Sequence, residues 1–274
     1  MTQPGNRETP FHRQWRRIKF SLRHPTGGLA YFRGRDEYEG WWSRRSENEF
    51  KRAARKLAGV GDLEYAQSLR DLHDTGLAEV VRNRAKHLNS SVDTILGYTP
   101  YRQFYYALVR ALRPSVVVET GVWFGMSSAF LLQALHDNDH GTLYSIDLPN
   151  HQYICDDGEP GGDSVGHPDR TGVLVPDYLR YRWQLCIGKV QDRLVPILQT
   201  LGAMDLYVRD SEHTYTAVTF ELTHAWEHLS KGGVLLSDDV HWTSAFAHFA
   251  DSVGAQAIVF QRARSEYMGG LIKP

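Results

Sequence analysis

The sequence predicts an α/β protein: a doubly wound, mostly parallel sheet with an antiparallel C-terminal edge, preceded by a helical region. Three observations carry this. From Val116 onward short apolar runs alternate with amphipathic stretches, as strand and helix do in turn. Each run is almost continuously hydrophobic, which suits strands covered on both faces. The first run, in "VVVETGVWFGMSSAFLLQAL", breaks at two glycines four residues apart and resumes as an apolar-periodic helix, the kind of bend at which such a sheet holds a ligand.

Taken in order, residues 1–95 read as a basic, mainly helical region and 96–274 as the sheet domain. "SENEFKRAARKL" is opened by Ser46 as a helix cap with Glu49 three residues later, and "LEYAQSLRDLHDTGLAEVVRNRAKHL" continues with a polar-faced helical pattern. "YRQFYYALVRALRP" predicts a helix stopped by Pro114. Strands are expected at 116–119, 142–147, 183–187, 206–210 and 233–237, with helices between them. The segment 255–274 reads as two short strands around a turn, closing the sheet. One connection, 148–182, is long, rich in Gly, Pro, Asp and His, and without period, which predicts a lid-like insertion.

Composition excludes several classes. The 274 residues are 42% hydrophobic, enough for a full core. No run of about 18 apolar residues occurs and the N-terminus has no apolar signal core, so neither membrane spanning nor export is expected and the cytoplasm is the expected compartment. Cys155 and Cys186 lack C-x-x-C spacing, which argues for free thiols rather than a disulfide framework or thiolate zinc site. The net charge of −1 hides an asymmetry: residues 1–60 hold 14 Lys and Arg against 6 Asp and Glu, the remainder 17 against 26. A basic arm carrying Trp15, Trp41 and Trp42 is expected to dock on the acidic remainder of its own chain or of a partner subunit, rather than on lipid or nucleic acid. No sequence motif marks a dimer interface, and a homodimer stays open.

The glycine bend holds the functional signal. Gly121 and Gly125 supply the turn, and Asp147, ending "GTLYSID", stands 26 residues after Gly121, near the spacing of an acid that grips a ribose. The pattern G-x-G-x-x-G is absent and Glu119 sits beside the turn, so a diphosphate would be repelled. A carboxylate there suits a cationic nucleoside such as S-adenosylmethionine, whose amino group and sulfonium are both positive.

The strings "VVETGVWFGMSSA", "YSID", "IGKVQD", "DSEHTY" and "LLSDDV" occur in an order and spacing that resemble the S-adenosylmethionine-dependent O-methyltransferases of the catechol type and the related methyltransferase family 24. The resemblance covers roughly residues 96–260 and implies a Rossmann-like domain. It implies that Glu119, Gly121, Gly125 and Ser127 wall the methionine part, that Asp147 holds the ribose hydroxyls and that Gln191 faces the adenine. Val190 stands where the family carries a hydroxyl.

Asp210 ends the fourth strand, and Asp238 and Asp239 follow the fifth. Three carboxyl groups at one sheet edge predict a hard divalent ion such as Mg²⁺. The resemblance implies the same: an Asp after the fourth strand and an Asp-Asn pair after the fifth, here Asp-Asp. The alternative is that Asp238 and Asp239 cap the next helix. His213 occupies the position of the family's catalytic lysine, and an imidazole of ordinary pKa is suited to take a proton from a substrate hydroxyl at neutral pH. Glu212 departs from the family's small or apolar residue. The expected reaction is an in-line displacement in which metal and His213 create a nucleophilic oxygen, on a small molecule such as a phenol, a sugar or a natural-product intermediate, with the 148–182 insertion as lid. Its end, with Tyr178, Tyr181 and Trp183, supplies either an aromatic substrate wall or an anchor on the core.

Two strings are decoys. "HAWEH" matches H-x-x-E-H, but His224 and His228 lie opposite the apolar stripe of their helix. Ser127 comes eight residues after Glu119, too far for a nucleophile on the strand-to-helix turn. A nicotinamide-dependent oxidoreductase and a catalytically inactive nucleoside-binding module remain as competing readings, and a nucleic-acid methyltransferase is a weaker fourth resting on the basic arm.

Overall fold

The computed structural model describes residues 35–86, 88, 99–148, 153–154, 160–161, 170–262 and 266–274, with backbone alone at 35–44, 99–100, 153–154 and 160–161. The chain falls into two units that divide between Asn48 and Glu49, and the second carries the sheet and the site. The basic arm up to residue 34, Cys155 and residues 149–152, 155–159 and 162–169 of the insertion lie outside the described residues.

Helix α1 spans Arg35–Ala58. Ser46 therefore sits inside it and does not cap it, a correction to the sequence reading: the local cap pattern is real, but no breaker separates it from the helical residues upstream. The next stretch divides into α2 (Asp62–Asp74) and α3 (Leu77–Ala85), because Gly76 adopts a left-handed φ of 70° between them. Helix α4 (Thr99–Leu112) ends two residues before Pro114.

Seven strands form the main sheet: β1 (Val116–Thr120), β2 (Thr142–Asp147), β5 (Trp183–Ile187), β6 (Met204–Arg209), β7 (Leu229–Ser237), β8 (Ile258–Gln261) and β9 (Tyr267–Ile272). Two-residue strands β3 (Tyr153–Ile154) and β4 (Pro160–Gly161) pair antiparallel with each other. The main order is β5-β2-β1-β6-β7-β9-β8, parallel through β7, with β9 antiparallel to both β7 and β8. All five expected parallel strands are present within three residues at every boundary but one: β7 begins at Leu229, four residues earlier than expected. The C-terminal strand pair forms as expected. Strand β5 is the exception in burial, with only Trp183 of its five residues buried, because it lies at the sheet edge.

Alternate strand residues feed two cores. Val117, Leu206, Val208, Val234 and Leu236 join the core shared with α4 and α5 (Met126–Asp137). Val118, Tyr207 and Leu235 face the other, with α6 (Val190–Leu201), α7 (Tyr215–His228) and α8 (Ala245–Ser252). Residues before 96 contribute to the first core: Phe50 stacks on Phe104 at 5.2 Å between ring centres, and Phe104 meets Phe260 edge-on at 5.3 Å. Chain order reverses at β1: β2 and β5 continue on one side, β6 and β7 on the other. That reversal opens a crevice beyond the carboxyl ends of β1 and β6.

Phe104 is fully buried at the junction of α4, α1 and β8. Its replacement by alanine is expected to lower unfolding free energy by about 3–5 kcal/mol, read as a shifted midpoint in denaturant unfolding followed by circular dichroism.

Candidate active site

The site is built where β1, β2 and β6 end. Gly121 follows β1 with φ 86°, and a Cβ there would lie 1.8 Å from the carbonyl oxygen of Asp210. Only glycine permits this approach of the β1 and β6 ends. Gly125, also at φ 86°, would place a Cβ 2.6 Å from the Cα of Gly172; it lets the turn pack on the segment after residue 170, where Gly172 and Leu174 donate backbone N–H groups to Trp123 and Phe124.

Glu119 is wholly buried. Its Oε1 accepts from Ser127 at 2.6 Å, and its Oε2 from Ser128 at 2.6 Å and Ser145 at 2.8 Å. Burial raises its pKa and the three hydroxyls oppose that rise. Trp183 continues the network by donating its indole N–H to Ser145. Its carboxyl is thus engaged by the protein's own donors.

Asp147 ends β2 and accepts the backbone N–H of Trp123 at 2.9 Å. Burial pushes its pKa up to about 6, against the pull of amide donors from Trp123, Leu148 and Val122. It borders a cleft of about 330 Å³ with Gly121, Ile146, Leu148, Val190, Gln191, Ser211 and Glu212, a volume at the lower end of small-molecule sites, roughly 300–1,000 Å³. Gln191 donates to Glu212 across this cleft at 3.3 Å. Of the six residues expected around a nucleoside cofactor, the cleft brings together Gly121, Asp147 and Gln191; Glu119, Gly125 and Ser127 stand behind it as support for the bend.

Two of the three expected metal carboxylates, Asp238 and Asp239, meet a guanidinium, and Asp210 lies nearby across His213. Arg262, between β8 and β9, pairs through Nη1 with Asp238 Oδ2 and through Nη2 with Asp239 Oδ1 at 3.5 Å and Glu266 at 2.8 Å. The second Asp238 oxygen accepts the Asp239 backbone N–H at 2.9 Å. Asp239 is held at φ 49°, rare for a non-glycine residue. Among the described residues no group of three or more His, Cys, Asp or Glu side chains is arranged to hold a metal ion. As placed, the oxygens do not fit a divalent ion, because a fixed cation already engages two of the three carboxylates. The capping alternative also fails, since α8 begins at Ala245 after Ser244.

His213 lies beside this cluster, its Nε2 4.0 Å from Asp210 and 3.8 Å from Asp239. Its Nδ1 is 3.3 Å from Arg209 Nη1. Arginine cannot accept, so Nδ1 is the acceptor and the neutral ring carries its proton on Nε2. Burial first, then the charges of Arg209 and Arg262 and the neighbouring His241, push its pKa down to about 3. Such a ring is a weak base and a good donor, unlike the expectation from its ordinary pKa.

Comparison with known proteins agrees with the sheet order. The family model for the methyltransferase domain of family 24 matches residues 118–240. That match spans less than half of the chain. The architecture is the Rossmann-like fold of methyltransferases. The SAH-bound methyltransferase PaMTH1 of Podospora anserina shares the fold at 12% identity, with a TM-score of 0.51 over 78% of this chain and 98% of its own. TomG of Streptomyces achromogenes, an O-methyltransferase involved in tomaymycin synthesis, solved with SAM, is 15% identical over 72% and 90%, with a TM-score of 0.49. An O-methyltransferase of Bacillus cereus in complex with SAH is 12% identical over 81% and 96%, with a TM-score of 0.47. No curated protein sequence matches the chain significantly.

Sequence reasoning missed Arg209 and Arg262. Neither belongs to a local motif: Arg262 reaches the site because β9 pairs with β7, and Arg209 because it ends β6 beside Asp210. Ser211 and Lys189, which also line the cleft, carry no signal outside the family strings. At the aromatic end of the insertion Trp183 alone is buried; Tyr178 and Tyr181 are exposed, the first donating to Gln133 and the second 3.0 Å from His136. His224 and His228 sit off the buried stripe of α7, as expected.

The neutral state of His213 is directly measurable. Across pH 5 to 8 its ring carbon resonances in an NMR titration are expected to stay constant, because the ring charges only near the acid end; a midpoint between 6 and 7 would contradict the placement of Arg209.

Proposed function

We propose that this chain transfers a methyl group from S-adenosylmethionine to a hydroxyl of a small molecule. The observation that carries the reading is Asp147: an acid at the end of β2, bordering a cleft at the reversal of strand order, inside a methyltransferase domain. The cleft's chemistry fits the donor. Asp147 offers carboxylate oxygen to paired ribose hydroxyls, Gln191 an amide to an adenine edge, and Ile146, Leu148 and Val190 an apolar bed for the ring. When bound, S-adenosylmethionine supplies an electrophilic methyl group whose sulfur loses its positive charge on transfer.

The chain's residues prepare the other partner. Trp242, half exposed, lies over His213 with ring centres 5.0 Å apart, presenting an aromatic face for a planar acceptor. Through its Nε2–H, His213 donates rather than receives, and so orients an acceptor oxygen whose own proton passes to solvent; as the O–CH3 bond forms the S–CH3 bond breaks, and holding that oxygen against the methyl makes the encounter effectively intramolecular. The O-methyltransferases TomG and that of Bacillus cereus support a hydroxyl acceptor by analogy only. The metal assistance expected from the sequence is not carried into this reading, since Arg262 engages the carboxylates that would supply it. No helix of the described residues is long and apolar enough to cross a membrane.

Titration calorimetry with S-adenosylhomocysteine tests the cofactor. One molecule per chain is expected, with Asp147→Ala weakening it roughly 10- to 100-fold, the usual worth of a hydrogen bond to a charged group. NADH should not bind; binding of NADH in place of S-adenosylhomocysteine would move the chain to the oxidoreductases.

The same titration carries a pH signature. Asp147 is raised to about 6, so it is charged above that pH and protonated below. If its carboxylate accepts the ribose, affinity holds from pH 8 to about 6.5 and then falls by up to about tenfold per pH unit as the proton competes. Asp147→Asn should flatten that profile. With labelled donor and a panel of phenols and sugars, the methyl group is expected on oxygen by mass spectrometry.

A further inference from the structure

We propose that Arg262 takes the place of the divalent cation in this domain, so that the carboxylate cluster is neutralised by a side chain and the site works without a metal ion. The inference rests on the methyltransferase reading only for the meaning of the cluster; the contacts themselves are independent of it.

Four features of the seat argue for a permanent occupant. The guanidinium presents its fork to the paired aspartates, Nη1 on Asp238 and Nη2 toward Asp239, and closes on Glu266 at 2.8 Å. The Asp238 contact is the close one, while the approach to Asp239 Oδ1 at 3.5 Å is an ion pair without a hydrogen bond. Its side chain is only 12% exposed and lies over the Tyr101 ring at 5.1 Å, a stacking contact that an ordinary surface arginine lacks. Both Asp238 oxygens are used, one by Arg262 and one by the Asp239 amide.

Charge leads to the same conclusion. A divalent ion bound to these carboxylates would stand about 2.1 Å from their oxygens, and therefore against the guanidinium that touches the same atoms. The guanidinium charge would oppose such an ion at close range and compete with it for the same oxygens. The far side is guarded as well: His213, backed by Arg209 at 3.3 Å, turns its Nε2 toward Asp210 and Asp239. The extra acid of the Asp-Asp pair, which as sequence suggests tighter metal binding, is here matched by the guanidinium.

The test is Mn²⁺ binding followed by electron paramagnetic resonance, with S-adenosylhomocysteine calorimetry on each sample as a control for folding. The parent chain is expected to show no bound Mn²⁺ at about 1 mM, the weak end of oxygen-ligand cation sites. Arg262→Met, which removes the charge but keeps bulk, is expected to gain one Mn²⁺ per chain, and Arg262→Met with Asp210→Asn to lose it again. Stoichiometric Mn²⁺ in the parent, abolished by Asp210→Asn, would overturn the proposal, as would a folded Arg262→Met chain that gains none. Where Arg262→Met does not fold, the parent and Asp210→Asn still test the proposal, since stoichiometric Mn²⁺ in the first that is lost in the second overturns it. If the parent fails to bind S-adenosylhomocysteine, the cofactor reading falls, while the Mn²⁺ result still reports on Arg262.

Discussion

Burying carboxyl groups at the carboxyl edge of a parallel sheet is the constraint on which the rest of this structure depends. Isolated buried acids cost several kcal/mol unless donors or cations meet them, and this edge carries Glu119, Glu221, Asp147 and Asp238, each about 5% exposed or less. The structure meets them one at a time. Glu119 receives three serine hydroxyls. Glu221 receives Thr120, Tyr207 and Ser211, with Arg209 as its ion pair at 3.3 Å. Asp238 has Arg262. Asp147 is held by backbone amides alone, and it is the one that borders the cleft.

From that distribution the division of labour follows. An acid matched by side chains is spent on structure: it ties the β1 end to α5 through Glu119 and the β6 end to α7 through Glu221. Asp147 keeps acceptor capacity toward the cleft because amides are fixed in direction and cannot surround both oxygens. Burial raises its pKa, as it does those of Glu119 and Asp238; what sets Asp147 apart is its place at the cleft. Arg209 joins the two systems, pairing with Glu221 on one side and reaching His213 on the other, and so sets the tautomer of a ring that an isolated reading of the sequence would make a base.

Much of this was legible in the sequence, for identifiable reasons. The parallel strands announce themselves because burial on both faces demands continuous apolar runs, and Gly121 and Asp147 because a close backbone approach and a strand-end acid leave a fixed spacing. The convergence of Asp210, Asp238 and Asp239 follows from parallel strands ending at one edge. What surrounds those aspartates does not follow, since Arg262 arrives through the antiparallel pairing of β9 with β7, a long-range contact with no local pattern. The same limit explains Glu119: the serines that satisfy it come from α5 and β2, and only the folded chain shows that its charge faces inward rather than toward a ligand. Ser46 shows the reverse error, a true local cap pattern overridden by the helix that runs through it.

The account's central claim, that among the four buried acids Glu119, Glu221 and Asp238 are spent internally and Asp147 is left for the ligand, is tested most directly by a crystal structure of the chain grown with S-adenosylhomocysteine and a magnesium salt. The account predicts ribose hydroxyls within hydrogen-bond distance of Asp147, Glu119 still bound to its three serines, and the Arg262 guanidinium between Asp238 and Asp239 with no ion there. A magnesium ion bridging Asp210 to either of those aspartates, or a ribose bound away from Asp147, would contradict it.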